Sequence, residues 1–214
     1  MNTRKERQAG TREAFGSLFN NMFDRVVAMG EPSRQRFCVI AAITEDGLLG
    51  SRGEIPWRHP EDIHFFKTMT QGSVVIMGRR TWDSLPKKPL PDRVNVIVTS
   101  DENLLFYYGD HEDNVVASSS FGDAVEEAQY MASREDLPIF AIGGAQVYEQ
   151  ALLHRDAAVL YLTVVPDTYP PSTDDVHFPL ALLRQNWTKY PHDISLGRCR
   201  LEKWVPKSVE PIEQ

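Results

Sequence analysis

Cysteine is scarce in this chain: Cys38 and Cys199 are the only two among 214 residues. Two thiols cannot frame a disulfide-rich secreted fold or complete a structural zinc site, so buried, reduced thiols in a cytoplasmic protein are the expectation. No apolar run approaches the roughly 18 residues that a membrane span needs. The N-terminal stretch also lacks the uninterrupted apolar core of a secretory signal. Excess positive charge is missing too. The formal net charge is −7, so the molecule as a whole carries no electrostatic footprint for nucleic acid. There is no internal repeat, no low-complexity tract and no GxGxxG dinucleotide fingerprint.

With 42% hydrophobic and 25% charged residues, the composition is that of a globular protein, and the length suits one domain plus an extension. Charge is unevenly spread. Residues 1–36 carry seven Arg or Lys against four Asp or Glu, a balance of +3, which leaves −10 for the remainder. From Phe37 onward short apolar runs alternate with helical patterns. The runs are RFCVIAAI, SVVIMG, VNVIVTS, NVVAS, LPIFAIGG and AAVLYLTVV. Most are continuously apolar and rich in Val and Ile, as strands covered on both faces must be. Helices are expected over Pro60–Met69, Arg79–Ser84, Phe121–Ser133 and Gly144–Leu153. This alternation predicts an α/β fold: a doubly wound, mostly parallel central sheet with helices on both faces. The tail, NWTKYPHDISLGRCRLEKWV, reads as two β-segments around Gly197, an antiparallel edge hairpin.

Ligands of open α/β sheets bind beyond the carboxyl ends of the strands, and three ends here suit a phosphate-bearing ligand. One strand ends at Gly78 and opens a helix with Arg79, Arg80 and Thr81, a helix N-terminus with two guanidinium groups. A second ends at Gly143-Gly144, which admits a ligand close to the backbone. The third ends with Thr99 and Ser100, two hydroxyl donors. Together they point to a nucleotide cofactor.

The stretch IPWRHPEDIHFFK sets Glu61 and Asp62 among aromatic and proline residues. A carboxylate in a first helical turn commonly serves the helix dipole. Spacing offers a second reading, because Asp62, Phe65, Phe66 and Met69 share one face while Glu61 points about 100° away, toward solvent. Asp62 then faces a pocket above the first strand, near Ile40 to Ala42. A half-buried carboxylate suits an amidine-like edge, whose two parallel N–H donors match its two oxygens. The preceding DGLLGSRGEIPW, with Gly47, Gly50 and Gly53 three apart, reads as a flexible lid.

From about Phe37 to Val205 the chain resembles dihydrofolate reductase of the bacterial type. The resemblance rests on IAAI, DGLLG, IPW followed by PEDIHFFK, VVIMGRRTWDSL, PLPDRVNVIVTS, IGGAQVYEQAL, LYLTVV and DDVHFPL, in the family's order. It implies NADPH-dependent reduction of 7,8-dihydrofolate to tetrahydrofolate, by hydride transfer to C6 and protonation at N5. Asp62 falls on the family's pocket carboxylate, Thr163 on the residue bracing it, and Trp57 on the residue ordering water at the pocket mouth. Ile40, Ala42, Ile63, Phe66, Leu85, Leu90 and Ile142 fall on pterin and benzoyl positions, where core packing is the plain alternative. Arg93 falls on the arginine that clamps the substrate's α-carboxylate; from its local sequence alone it reads as a surface charge. Cofactor positions are Ala42, Leu49, Gly50, Gly78, Arg79, Arg80, Thr81, Thr99, Ser100, Gly143, Gly144, Gln146, Val147 and Tyr148. Asp175 matches a loop acid that steadies the lid, although PDTYPPSTDD differs from the family in length and proline content. Arg80 stands where a histidine is common and Gln146 where some members have arginine. Dihydrofolate and antifolates are the implied small-molecule partners.

Residues 1–36 have no counterpart in that family domain, taken here as 37–206 and followed by a tail over 207–214. Phe15, Leu18, Phe19, Met22, Phe23, Val26 and Val27 follow helical spacing, with Gly30 as a stop. This amphipathic helix is expected to pack on its own domain or on a dimer mate. Two rival functions use the same fold: a reductase of riboflavin synthesis, and a non-catalytic scaffold. The first gives no reason for Asp62 above an aromatic face, and the second has no need of the full residue set.

Overall fold

Val- and Ile-rich runs need cover on both faces, and the architecture supplies it. The computed structural model describes residues 36–108 and 114–207; the helix expected around Phe15 to Val27 lies outside them. The elements in chain order are β1 (Phe37–Thr44), β2 (Leu48–Ser51), α1 (Pro60–Thr70), β3 (Val74–Gly78), α2 (Arg79–Ser84), β4 (Val94–Val98), α3 (Glu102–Tyr108), β5 (Val115–Ser118) and α4 (Phe121–Glu135). They continue with β6 (Ile139–Gly143), α5 (Ala145–Leu153), β7 (Ala157–Val165), β8 (Asp175–His177), α6 (Leu180–Asn186), β9 (Trp187–Lys189), β10 (Ile194–Leu196) and β11 (Cys199–Pro206).

The main sheet runs β10-β11-β7-β1-β6-β3-β4-β5. Strands from β7 through β5 pair in parallel, and β11 joins β7 antiparallel. β9 and β10 both pair with the outer edge of β11, so the expected hairpin forms and gains a third segment. Because β6 inserts between β1 and β3, the ends of β1, β6 and β3 stand side by side at one rim of the sheet.

Alternation along β1 divides the core. Phe37, Val39, Ala41 and Ile43 belong to the layer shared with α4, α5 and Leu183 of α6. Cys38 and Ile40 belong to the layer shared with Phe65 and Met69 of α1 and Trp82 of α2. α4 forms because Ser120 Oγ accepts the amide of Asp123 at 3.1 Å and Ala124, Val125, Ala128 and Ala132 present one buried face. It runs two residues beyond the predicted end, stopping where Asp136 turns left-handed at φ 53°. Phe140 in central β6 is fully buried; truncating such a side chain to alanine costs about 3–5 kcal/mol. Both cysteines are buried and unpaired with each other, and burial pushes the Cys38 thiol up to about 12.

The glycine-spaced lid differs from expectation. Leu48–Ser51 is a strand, held antiparallel against Asp175–His177 in a small second sheet. Among the described residues, no helix is long and apolar enough to cross a membrane.

Candidate active site

α1 begins where Pro60 takes the first helical position after His59, the place where a missing N–H costs nothing. Its periodicity then buries Phe65 and Met69 against the sheet and leaves Asp62 and Phe66 half-buried beside them, with Glu61 in solvent. Desolvation raises the Asp62 carboxyl above its ordinary value, and the Thr163 hydroxyl and His59 imidazole pull it partly back. Thr163 lies on β7 with Ala42 of β1 opposite it on one side and Leu201 of β11 on the other. Its Oγ1 is buried and stabilises the Asp62 charge, yet completes no hydrogen bond of full geometry. Trp57 Nε1 is in the same condition. An unpaired buried donor or acceptor costs about 1–3 kcal/mol.

The apolar residues expected around this carboxylate share its layer of the core. Ile40, Ile142 and Trp57 are buried in it, with Ala42, Phe66, Leu85 and Leu90 packed at its margin. Ile63 is 51% exposed, so it borders the layer from outside. Arg93 is not the surface charge its local sequence suggests. It is 8% exposed, with Nε donating to Pro91 O at 3.0 Å and a terminal nitrogen to Thr70 Oγ1 at 2.9 Å. Burial lowers its pKa, but an arginine stays ionised under such conditions.

On the other side of the rim, β3 and β6 end together at Gly78 and Gly143. A Cβ on Gly78 would stand 3.4 Å from Val147 and 3.8 Å from Gly144 N, and one on Gly144 would crowd Thr81 Oγ1 at 3.3 Å. Gly143 has φ 112° and lies so close to Tyr148 that an added Cβ would be 2.8 Å from its hydroxyl. The peptide between Gly143 and Gly144 is cis. Tyr148 Oη donates toward the Ile40 and Ile142 carbonyls, both at 2.9 Å. Val147 and Tyr148 are therefore turned into the core, while Gln146 is exposed at the start of α5. Arg79 is already engaged, with Asp101 at 3.0 Å and Asp83 at 3.7 Å. Arg80 is exposed. Thr99 is buried and its Oγ1 accepts the Asp101 amide at 3.0 Å, and Ser100 is exposed beside it.

Leu49 and Gly50 lie in the lid strand, and Asp175 faces Ser51 across the ladder. The hydrogen bond with Ser51, then the Ser172 amide, lowers the Asp175 pKa, so the loop acid does meet the lid despite its altered loop.

Three contacts were not foreseen. His59 Nε2 is bonded to Asp167 Oδ2 in the loop after β7, Tyr169 Oη donates to Pro56 O at 3.1 Å, and Tyr169 meets the Trp57 ring at 6.2 Å between centroids. His59 is the cap residue before Pro60. Nothing local marked a partner 108 residues away.

Comparison with known proteins finds one family. The family described as dihydrofolate reductase matches residues 36–195. A dihydrofolate reductase of Buchnera aphidicola (from Acyrthosiphon pisum) is 35% identical over 156 residues, covering 71% of this chain and 88% of the relative. One from Neisseria meningitidis serogroup A is 35% identical over 146 residues, 67% and 83% of the two chains. One from Candida albicans is 31% identical over 191 residues, 83% and 89%.

Proposed function

The chain belongs to the dihydrofolate reductase family, and from that premise we propose that NADPH is its reductant and that Asp62 governs protonation of the pterin at N5. The supporting observation is a desolvated carboxylate on α1 stabilised by the buried Thr163 hydroxyl of β7, with Trp57 Nε1 buried and without a partner in the segment before it. Asp62 offers two oxygens to the pterin amino group and the adjacent ring N–H. Thr163 holds the carboxylate in place with its hydroxyl, and Trp57 Nε1 holds a water at the pocket mouth. Fixing negative charge against that edge favours the protonated pterin, with water as the immediate proton donor. Ile40, Ala42, Phe66, Leu85, Leu90 and Ile142, with Ile63 at the rim, exclude bulk water from the ring. Arg93 takes the glutamate α-carboxylate of the substrate.

The nicotinamide cofactor, when bound, supplies the hydride. The residues fit such a group: Gly78 and Gly144 keep the two strand ends free of side chains where a phosphate would approach the backbone, while Gly143 makes room for Tyr148. Thr81, Gln146, Val147 and Tyr148 frame that approach, and Ala42, Leu49 and Gly50 stand on the nicotinamide side. Arg80, Thr99 and Ser100 select the 2′-phosphate. Arg79 contributes less than its sequence position suggests, because Asp101 and Asp83 already use its charge. One free charge-assisted hydrogen bond contributes about 1.5–3 kcal/mol, a preference of about 10- to 100-fold for NADPH over NADH.

The test is loss of reduced-nicotinamide absorbance with dihydrofolate. Rapid oxidation of NADPH, slower oxidation of NADH, and block by an antifolate are expected. Equal kcat/KM for the two cofactors removes Arg80 from the phosphate site. No turnover with dihydrofolate would leave a scaffold instead.

A further inference from the structure

His59 is a 7% exposed histidine at the cap of the helix that carries Asp62. A buried imidazole needs a partner for its ring N–H, and Asp167, in the loop after β7, supplies it. Strand β7 also carries Thr163, so one pair links the segment before Asp62 to the strand behind it. Tyr169 adds a second link through the Pro56 carbonyl and a third through the Trp57 ring. The three links act on Pro56, Trp57 and His59 within one four-residue segment, and each starts in the same short loop.

We propose that the His59–Asp167 pair is a positioning element of the active site, which holds the approach to α1, and with it Asp62, against the β7 exit. It rests on the reading of Asp62 given above. Other titratable groups are coupled to this cluster: Glu61 on α1, Tyr169 beside Asp167, Tyr148 on α5, and Cys199 with Arg198 at the start of β11. Tyr148 and Cys199 are both pushed up by burial, Cys199 to about 11, and stay uncharged near neutrality. Glu61 and Arg198 carry opposite charges at the exposed margin. Of these neighbours His59 is the one whose ring, in its protonated form, lowers the Asp62 pKa, in the direction that keeps the carboxyl ionised.

Two substitutions in the full-length protein separate charge from packing. His59→Gln keeps an N–H donor for Asp167 and removes the charge, while His59→Leu removes both. Losing an imidazole whose protonated form lowers the Asp62 pKa favours the protonated carboxyl, so both variants should move the midpoint of the pH–activity profile to higher pH by about half a unit. Asp167→Asn, which loosens the segment, should raise KM for dihydrofolate several-fold with a smaller change in kcat. A purely structural role would lower the melting temperature and leave the midpoint alone. A folded His59→Gln enzyme with the wild-type midpoint overturns the proposal, whatever His59→Leu does. Asp62→Asn serves as the control. If it retains wild-type turnover, the reading of Asp62 itself fails; if it is inactive while His59→Gln keeps the midpoint, only the role of His59 fails.

Discussion

Asp62 carries a stability cost that its function explains. Its folded-state pKa is raised, chiefly by desolvation, so the folded protein holds this proton more tightly than the unfolded chain does. The cost is absent below the unfolded carboxyl value of about 3.9, grows as pH rises through the folded value, and is constant above it. Asp62→Asn should therefore melt higher than wild type at neutral pH, with the two curves converging near the unfolded value. The same variant should lose most turnover at neutral pH and regain part of it in acid, where solution protons substitute. Wild-type turnover at neutral pH would give Asp62 another role. Arg93 has structural and substrate contacts to lose together. Arg93→Leu should raise KM for dihydrofolate and spare KM for NADPH. It should also cost about 1–3 kcal/mol, because the Thr70 contact is buried and the Pro91 contact partly so. An unchanged folate KM with lowered stability would reduce Arg93 to a bracket between α1 and the start of β4.

Between elements, two junctions set the shape of the rim. Tyr148 of α5 reaches carbonyls on β1 and β6, and Gly143 makes room for it. Gly143→Ala places a methyl on the hydroxyl and forces a left-handed backbone on an L residue. It should melt well below wild type, and a tolerated Ala would show that the exit of β6 can relax. The second junction is the β2–β8 ladder that converts the glycine-spaced lid into a strand. Asp175 binds Ser51 in its charged form and its pKa is lowered. That anchorage is therefore present above the ordinary carboxylate value and lost as pH falls through the lower folded one. Asp175→Ala should expose Arg52 to faster tryptic cleavage at neutral pH. Cleavage at the wild-type rate would mean the backbone ladder alone holds the lid.

At the scale of the whole molecule, every residue assigned to the site lies between Ile40 and Asp175, whereas residues 1–35 precede the sheet. Deleting residues 1–34 should leave both KM values near normal. Stability or assembly should suffer, because seven large apolar side chains, each contributing about 1.5–3 kcal/mol at most when buried, leave together. The readout is a lower melting temperature or a shift from dimer to monomer on a sizing column, reproduced by changing Phe19 and Phe23 together to Asp. Unchanged melting and assembly would make residues 1–34 a free recruiting element. Loss of kcat in a folded truncation would show that the extension shapes the lid.

The sequence by itself determined the parallel sheet, since continuous β-branched runs punctuated by Gly and Pro are local signals and six runs became six strands. It also determined the face of Asp62, because i, i+3 and i+4 spacing fixes direction on a helix whatever surrounds it. α3 escaped notice because its short run LLFYY is apolar throughout, with no polar face to give it a helical period, and none of its residues is buried; short α6 buries only Leu183. Burial and partnership were decided in three dimensions. Arg93 reads as a surface charge and is covered, Arg79 reads as a free cation and is paired with Asp101, and His59 meets Asp167 far along the chain. Local propensity and periodicity are written residue by residue, but which distant side chains meet, and how much water they keep, depends on the order in which strands enter the sheet. Insertion of β6 between β1 and β3 brings Gly143 beside Gly78, and pairing of β7 with β1 brings Thr163 beside Ala42 and into reach of Asp62.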